Sequence, residues 1–265
     1  MQIEHVTVYS ERLTHPVRAL VLADLHEQCH PLYLSAWTSL HPELILIPGD
    51  WLEAHSVQKS LRRRKTLALL RALAERFPTF YSLGNHEIGV SGCRRPRGAA
   101  GESVRATAGP QVAELIREIE ATGACLLDDR WVRWGEFAIG GVSSAAGGMI
   151  RTGFLERYAG EAGFRLLLCH HPEYYPRYLR RYETDLVVSG HAHGGQWRIA
   201  GRGVFAPGQG IFPRYTDGLY ENNHLLVSRG LADRTPVPRI LNPKQTLLLH
   251  LLPQEMRMLQ KQAGK

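Results

Sequence analysis

The sequence predicts an α/β protein in which parallel strands alternate with helices. Apolar runs of strand length alternate along the chain with longer segments of helical period, which is the pattern of βαβ units. These runs are nearly continuous in apolar residues, as expected for strands that are covered on both faces. With 265 residues, 44% of them hydrophobic and 22% charged, the chain can bury the core of an ordinary globular domain. We therefore expect residues 1–265 to form a single domain.

Five apolar runs are predicted to be strands. They cover residues 17–23, 44–47, 79–83, 165–169 and 186–189. Three segments are predicted to be helices because apolar residues recur three and four positions apart. They cover residues 32–40, 61–76 and 110–122. Pro110 at the start of the third helix and Gly123 after its end are typical start and stop residues.

The remaining segments have weaker patterns. A hairpin is predicted over residues 131–134 and 137–141, turning at Gly135-Glu136, and shorter strands over residues 203–206, 225–228 and 246–252. The polar tail, residues 254–265, is expected to be a short helix or frayed. Residues 88–109 are rich in Gly, Ala, Ser and Arg without apolar period. Because a loop of about 20 residues in a compact domain is usually functional, we expect an active-site loop there.

The sequence also predicts a cytoplasmic location. No apolar run approaches the ~20 residues that a transmembrane helix needs, so no transmembrane segment is expected. The N-terminus lacks the apolar segment of a signal peptide. The four cysteines are scattered without a C-x-x-C pair, which is typical of reduced thiols in a reducing compartment.

The net charge of +7 favours anionic ligands in general. The excess is concentrated in three clusters: residues 62–65, then Arg94, Arg95, Arg97 and Arg105, and then Arg177, Arg180 and Arg181. Nucleotides, nucleic acid and anionic lipid head groups all fit this charge, and charge alone does not choose among them. Peripheral contact with an anionic membrane through the arginine clusters therefore stays open.

Metal-type ligands occur in five short motifs, each at the end of an apolar run. The motifs are Asp24-Leu25-His26, Gly49-Asp50, Gly84-Asn85-His86-Glu87, His170-His171-Pro172 and Gly190-His191-Ala192-His193. Loops at the carboxyl ends of parallel strands converge on one edge of a sheet, so we expect these motifs to meet there. Alternate residues of an extended segment share a face, so Asp24 and His26 are natural co-ligands, as are His191 and His193.

The ligand types predict two adjacent divalent cations. Carboxylates and imidazoles suit Mn, Fe and Zn, and the lack of cysteine in the motifs argues against a structural zinc site. Asp50 is the best candidate for a carboxylate shared by both ions, because a shared anion reduces the repulsion between them. Since two adjacent cations can hydrolyse phosphate esters at neutral pH, we expect a phosphate-ester substrate.

Taken in order, the five motifs resemble those of the calcineurin-like metallophosphoesterase superfamily over residues 24–193. Residues 189–196, SGHAHGGQ, resemble a bacterial phosphodiesterase branch of that superfamily, and shorter pieces extend the likeness to about residue 250. The resemblance implies a four-layer αββα sandwich of two mixed β-sheets flanked by helices. It also implies hydrolysis of a phosphodiester or pyrophosphate diester, on a small or lipid-linked substrate.

The resemblance further implies a role for each residue. One ion would be bound by Asp24, His26, Asp50 and His193. The other would be bound by Asp50, Asn85, His170 and His191. His86 would act at the leaving group rather than as a ligand, and the spacing to Pro172 selects His170 over His171.

These assignments lead to a hypothesis for the mechanism. A hydroxide that bridges the two ions attacks phosphorus in line with the leaving oxygen, while the ions neutralise charge on the phosphoryl group. His86 donates a proton or a hydrogen bond to that oxygen, so His86 and Asp50 are the predicted catalytic residues. Glu87 either orients His86 or is a surface or supporting carboxylate. Glu53 is not assigned as a ligand, because its position also suits the start of a helix. Arg229 either contacts phosphate or forms a structural salt bridge.

Two competing functions follow from the same residues. A nuclease is favoured by the basic charge, but the sequence contains no recognisable nucleic-acid module. A non-catalytic scaffold of the same fold would be expected to lose ligands or the histidine of the Gly-Asn-His motif. Because all eight proposed ligand and catalytic positions hold competent residues, the sequence favours the enzyme.

Overall fold

A computed structural model describes residues 1–55, 60–89, 104–144, 150–232 and 238–263. Its strands are β1 (Gln2–Ser10), β2 (Val17–Val21), β3 (Leu44–Ile47), β4 (Thr79–Tyr81), β5 (Cys125–Leu126), β6 (Arg130–Trp134), β7 (Phe137–Val142), β8 (Phe164–Cys169), β9 (Leu186–Ser189), β10 (Arg198–Ile199), β11 (Arg202–Gly203), β12 (Phe205–Ala206), β13 (Gly210–Ile211), β14 (Gly218–Tyr220), β15 (Leu225–Val227) and β16 (Gln245–Pro253). Its α-helices are α1 (Tyr33–Thr38), α2 (Leu61–Ala74), α3 (Val104–Thr107), α4 (Pro110–Glu120), α5 (Gly153–Ala159) and α6 (Gln254–Ala263).

Twelve of these strands form two six-stranded mixed sheets. The first sheet has the order β1-β16-β2-β3-β4-β5, in which only the pairing of β16 with β2 is antiparallel. The second has the order β14-β15-β9-β8-β7-β6, in which both edge strands are antiparallel to their neighbours. The parallel strands at the centre of each sheet need crossover connections, and these supply the flanking helices.

Alternating side chains of the central strands enter different cores. In β2, Leu20 packs towards the helical side, while Ala19 and Val21 lie between the two sheets. In β8, Leu166 packs between the sheets, and Leu167 faces the opposite side with α5. The period of two therefore places apolar residues on both faces, as the nearly continuous apolar runs predict. The resulting order of layers, helices, sheet, sheet and helices, is the expected αββα sandwich.

The predicted elements agree with the structure to within a few residues. The strands predicted at 44–47 and 186–189 coincide with β3 and β9, and β2 and β4 end two residues earlier than predicted. Leu22 and Ala23 are fully buried and follow the last residue of β2, and the N–H of Leu22 still donates to the carbonyl of Leu46 in β3 over 3.0 Å. The three predicted helices are present and each ends two residues early, as fraying helix termini commonly do.

Other expectations need correction. The strand predicted at residues 203–206 is interrupted at Val204 and belongs to two separate hairpins. Within the loop predicted at 88–109, residues 104–107 form a short helix, and residues 90–103 lie outside the described part. The strand β1 carries no apolar run, since only Val8 of its nine residues is buried, and the sequence did not predict it. The short α5 and the π-helical turn Tyr175–Leu179 were also not predicted.

The carboxyl ends of the central strands of both sheets bring their loops together. The backbone N–H of His191, after β9 of the second sheet, donates to Asp24 Oδ1, after β2 of the first, over 3.0 Å. His170 after β8 lies 3.1 Å through Nδ1 from the carbonyl oxygen of Pro48 after β3. The expected convergence of the motifs is therefore present. Of the helices that the structure describes, none has the length and hydrophobicity to cross a bilayer.

Candidate metal centre

Two groups of ligand-type side chains lie where these loops meet. The first group contains Asp24, His26 and His193, and the second contains Asp50, His170 and His191. Within each group, the potential ligand atoms all lie within 4.8 Å of one another. Each group combines one carboxylate with two imidazoles, a donor set that suits Mn, Fe or Zn.

Asp50 lies between the two groups. Its Oδ2 is 3.0 Å from His170 Nε2 in one group and 3.9 Å from His26 Nε2 in the other. The same oxygen is 3.8 Å from His86 Nε2, while Oδ1 accepts a hydrogen bond from the backbone N–H of His86 over 2.9 Å. One carboxylate therefore faces ligand atoms of both groups, as a bridging ligand must.

The spacing of the imidazoles provides a test of whether a metal ion fits. His26 Nε2 and His193 Nε2 are 3.3 Å apart, and His170 Nε2 and His191 Nδ1 are 3.2 Å apart. Two nitrogens that bind one ion tetrahedrally at about 2.0–2.1 Å lie roughly 3.3 Å from each other. In addition, the contact of His170 Nδ1 with Pro48 is the second contact that usually orients a ligand imidazole. The residues present therefore fit two cations.

Burial and charge set the protonation of these groups. Burial, with a neighbouring histidine, lowers the pKa of His191 and of His193 well below the usual value, so both present neutral nitrogens. Burial also opposes the charged form of His170, but the Asp50 carboxylate raises the pKa of His170 to about 9. Burial disfavours the ionised form of Asp50 as well, yet His170 holds the pKa of Asp50 well below its usual range.

The turn that follows β4 packs directly against Asp50. An added Cβ at Gly84 would lie 2.6 Å from the Asp50 backbone nitrogen, so only glycine allows this approach. Asn85 lies between Gly84 and His86, and its Oδ1 is buried. The turn thus carries Asn85 and His86 to the edge of the second group.

Five of the predicted ligands have a backbone conformation that sequence patterns do not reveal. Positive φ angles between 46° and 66° occur at Asp24, His26, Asp50, His191 and His193. Such angles are uncommon for residues with a side chain, and each costs on the order of 1–3 kcal/mol. Their concentration at the site indicates that the surrounding packing holds these side chains in place.

Glu53 is a site residue that the sequence analysis did not assign. Its Oε1 lies 2.8 Å from His26 Nδ1, and its Oε2 lies 2.8 Å from His86 Nδ1. Burial disfavours its charge, but these two hydrogen bonds lower the pKa of Glu53 to about 2. The residue is not part of a helix, so the helix-terminus interpretation is wrong. Its spacing, three residues after Asp50, was the available signal.

Glu87 joins two loops of the site instead of orienting His86. It is fully buried and accepts backbone hydrogen bonds from residues 50–52 of one loop and from Gly84 of the other. The hydroxyl of Tyr81 donates a further bond over 2.6 Å. A carboxylate with five donors fixes the position of both loops, so Glu87 supports the site and is not a surface residue.

Arg229 lies in a salt-bridge network. Its guanidinium contacts Asp217 and Glu4, each at 2.8 Å, so the structural interpretation applies. A different cation, Arg239, contacts the centre: its Nη2 lies 3.2 Å from His193 Nδ1. His171 forms a third group with Glu173 and His191 and stacks on Tyr174. His170, in contrast, contacts Asp50.

The structure thus brings together the residues that the sequence singled out. His26, His86 and His170 each have Nε2 within 3.9 Å of Asp50 Oδ2. Asp24, His191 and His193 complete the two groups, whose loops span residues 24–193. Glu53 has contacts in the site that were not predicted, Glu87 has the supporting role that was one of its two predicted alternatives, and Arg239 was not predicted.

The chain is similar in sequence to known phosphoesterases. The sequence model of the family described as calcineurin-like phosphoesterase matches residues 17–195. The chain is 29% identical to phosphodiesterase YaeI of Escherichia coli over 256 residues, which cover 93% of this chain and 86% of YaeI. It is 24% identical over 275 residues to the uncharacterized metallophosphoesterase Cj0846 of Campylobacter jejuni, covering 94% of this chain and 63% of that protein.

Among solved structures, purple acid phosphatase PPD1 from yellow lupin seeds is similar with a TM-score of 0.45 and 13% sequence identity. The similar region covers 69% of this chain and 39% of that structure.

Proposed function

Because the chain belongs to the calcineurin-like phosphoesterase family and is a metal-dependent phosphoester hydrolase, we propose that it cleaves a phosphodiester or a pyrophosphate diester with two adjacent divalent ions. The observation that carries the proposal is the position of Asp50 between two groups of imidazoles. The choice of a diester is supported by YaeI, which is named a phosphodiesterase.

We assign the ligands according to this geometry. Asp24, His26, Asp50 and His193 would hold one ion. Asp50, Asn85, His170 and His191 would hold the other. When bound, two such ions supply an activated water at neutral pH and neutralise charge on the phosphoryl group.

His86 would then act on the leaving group. Its Nδ1 is held by Glu53, and its Nε2 faces the Asp50 carboxylate at 3.8 Å, with 15% of the side chain exposed. An ionised Glu53 favours the protonated imidazole, so Nε2 can donate a proton or a hydrogen bond to the leaving oxygen. Since Glu53 also contacts His26, it fixes the general acid relative to one proposed ligand.

A small or lipid-linked diester is preferred to nucleic acid as the substrate. Several of the basic side chains that raise the net charge are paired with carboxylates: Arg63 with Glu118, Arg105 with Glu120, Arg180 with Glu221. Such pairing reduces the positive potential that a polyanion would meet, and nucleic-acid affinity depends strongly on that potential.

The first experiment measures metal-dependent hydrolysis of an aryl phosphodiester and the matching phosphomonoester. The protein is stripped of metal and reloaded with Mn²⁺, and metal content is determined in parallel. We expect preference for the diester and, for His86→Ala, a loss of about 10²–10⁴ in kcat with metal retained. The matched control is His15→Ala, at an exposed histidine in the loop after β1, and it should behave as wild type.

Asp50→Asn tests the shared ligand in the same assay. We expect it to lower both metal content and turnover, because one substitution affects both proposed ion sites. Loss of metal in His86→Ala, or faster turnover of the monoester, would contradict the assigned roles. Two bound ions without turnover of either ester would instead favour the non-catalytic scaffold.

A further inference from the structure

The loops that follow the last predicted ligand carry several exposed apolar side chains. Thirteen large apolar side chains are exposed among the described residues, and seven of them lie between residues 197 and 241. We call these seven the hairpin surface: Trp197, Ile199, Phe205, Ile211, Phe212, Ile240 and Leu241. Ile211 and Phe212 are 74% and 73% exposed, and Leu241 is 80% exposed. An apolar cluster of this kind marks an interaction site more often than scattered exposed residues do.

Backbone contacts join the segments that carry the hairpin surface. Phe205 pairs with Ile211 across the β12–β13 hairpin, and the N–H of Phe212 donates to the carbonyl of Val204 over 2.8 Å. Val204 in turn donates to the carbonyl of Trp197, also over 2.8 Å. Trp197 forms a parallel bridge with Ile240, which carries the surface to the last segment.

The exposed charged side chains of residues 197–214 are all positive. Residues 197–214 contain three arginines and no Asp or Glu. Arg202 and Arg214 are exposed. The carboxylates that approach from elsewhere, Asp217 to Arg198 and Glu221 to Arg214, have side chains that are only 14% and 11% exposed. The hairpin surface therefore combines apolar side chains with the positive charge of the exposed Arg202.

The same region adjoins the metal centre. The Asn242 side chain, beside Leu241, donates to the carbonyl of His193 over 2.7 Å. Gly208, in the turn between β12 and β13, lies against the carboxylate of Glu173, which belongs to the group with His171 and His191. A surface bound by the hairpins would thus lie next to the proposed reaction site.

We propose that the hairpin surface docks the protein on an anionic lipid bilayer. Exposed Trp, Phe, Ile and Leu side chains can enter the boundary between head groups and acyl chains, to a depth of about 5–10 Å, while arginines contact anionic head groups. This location differs from the arginine clusters named in the sequence analysis. The inference does not depend on the proposed reaction, since binding to a bilayer needs no turnover.

A second copy of the chain fits the hairpin surface less well. A two-fold contact through one patch would bring the exposed Arg202 towards its own copy. Residues 197–214 contain no carboxylate that could pair with Arg202 across such a contact. A layer of anionic head groups, in contrast, complements both the apolar side chains and the charge.

The test is co-sedimentation of the full-length protein with vesicles of phosphatidylcholine, with and without phosphatidylglycerol. We expect binding to the phosphatidylglycerol vesicles, weakened by salt, and a loss of at least about tenfold in affinity for the double variant Ile211→Ser, Phe212→Ser. The matched control replaces another exposed apolar pair, Met258 and Leu259 of α6, by serine and should bind as wild type. Equal loss in the control, or no loss in the hairpin variant, would overturn the proposal.

A pair of charge variants separates the hairpins from the basic start of α2. Arg202→Glu and Arg64→Glu change the net charge equally, and both residues are exposed. We expect only Arg202→Glu to lower binding to phosphatidylglycerol vesicles several-fold. A larger effect of Arg64→Glu would move the docking site to α2. Circular dichroism checks that each variant is folded. Sedimentation equilibrium tests whether a second copy of the chain binds the hairpin surface instead. A wild-type dimer that the double variant Ile211→Ser, Phe212→Ser dissociates, together with no binding to vesicles, would overturn the proposal.

Discussion

At the scale of single residues, the sequence identifies ligand types but not the contacts that orient them. The five motifs predict Asp50 and the histidines as ligands, because carboxylates and imidazoles at strand ends are typical of metal sites. The contacts of Glu53 could not be predicted from the sequence. Glu53 faces two imidazoles because of the path that the loop after Asp50 takes, and that path depends on contacts distant in sequence.

The prediction at this scale concerns Glu53→Gln. The amide cannot accept hydrogen bonds from both Nδ1 atoms with the strength of a carboxylate, and it cannot stabilise an imidazolium at residue 86. We expect kcat to fall about 10- to 100-fold, with weaker binding of the ion assigned to His26. Steady-state kinetics and metal analysis of the purified variant measure both effects.

The control for this variant is Glu43→Gln. Glu43 is a half-exposed carboxylate that pairs with Arg18, outside the metal centre. It should leave kcat and metal content unchanged. Wild-type kinetics and metal content in Glu53→Gln would show that its contacts with the histidines have no functional role.

At the scale of elements, the sequence predicts the strands that are buried on both faces and misses a strand that is largely exposed. The strands β3 and β9 are predicted with their observed bounds, because their apolar runs fill a core on each side. The edge strand β1 is missed because eight of its nine residues are exposed or half-buried and form no apolar run. Its partner β16 lies more than 200 residues away, so pairing cannot be inferred from local pattern.

Turns at the strand ends are a further part of the elements that local pattern does not determine. Gly84 is needed for the close approach of the turn after β4 to Asp50, and not for an unusual backbone angle. For Gly84→Ala we expect a loss of stability of about 1–3 kcal/mol, because the added carbon displaces the Asp50 backbone. Metal content should fall as well, since Asp50 is the shared ligand. Urea unfolding and metal analysis provide the measurements.

The control is Gly153→Ala at the start of α5, where nothing lies within 4 Å of an added Cβ. Alanine favours the helix, so the stability of this variant should be unchanged or raised by up to about 1 kcal/mol. If Gly84→Ala were as stable as this control, an added Cβ would fit beside Asp50, and the close contact at Gly84 would not limit the residue at that position.

At the scale of the whole molecule, two sheets must be held in register for the site to exist. The proposed ligands come from loops of both sheets, so any sliding between the sheets would separate Asp24 and Asp50 from His170 and His191. The apolar core between the sheets holds them together, but hydrophobic contacts have no preferred direction and do not fix the register by themselves. Directional contacts at the edge come from Arg229, which follows β15 of one sheet and contacts Glu4 in β1 of the other.

Replacing Arg229 should therefore weaken the contact between the two sheets. Its guanidinium is 7% exposed and is shared between Glu4 and Asp217, and its backbone N–H donates to the Gln245 side chain. Arg229→Met leaves two partly buried carboxylates with one cation fewer, so we expect a loss of stability of about 2 kcal/mol or more. The KM for an aryl phosphodiester should not change, because the guanidinium contacts carboxylates that belong to the fold.

The comparison that decides between the two roles of Arg229 uses Arg133→Met. Arg133 forms an ion pair with Glu161 at 3.0 Å, but 49% of its side chain is exposed, so its removal should cost less than about 1 kcal/mol. Urea unfolding orders the two variants by stability, and steady-state kinetics reports KM separately. A stable Arg229→Met protein with a raised KM would mean that this arginine binds phosphate. A destabilised protein with normal KM would mean that Arg229 stabilises the contact between the two sheets and does not bind the substrate.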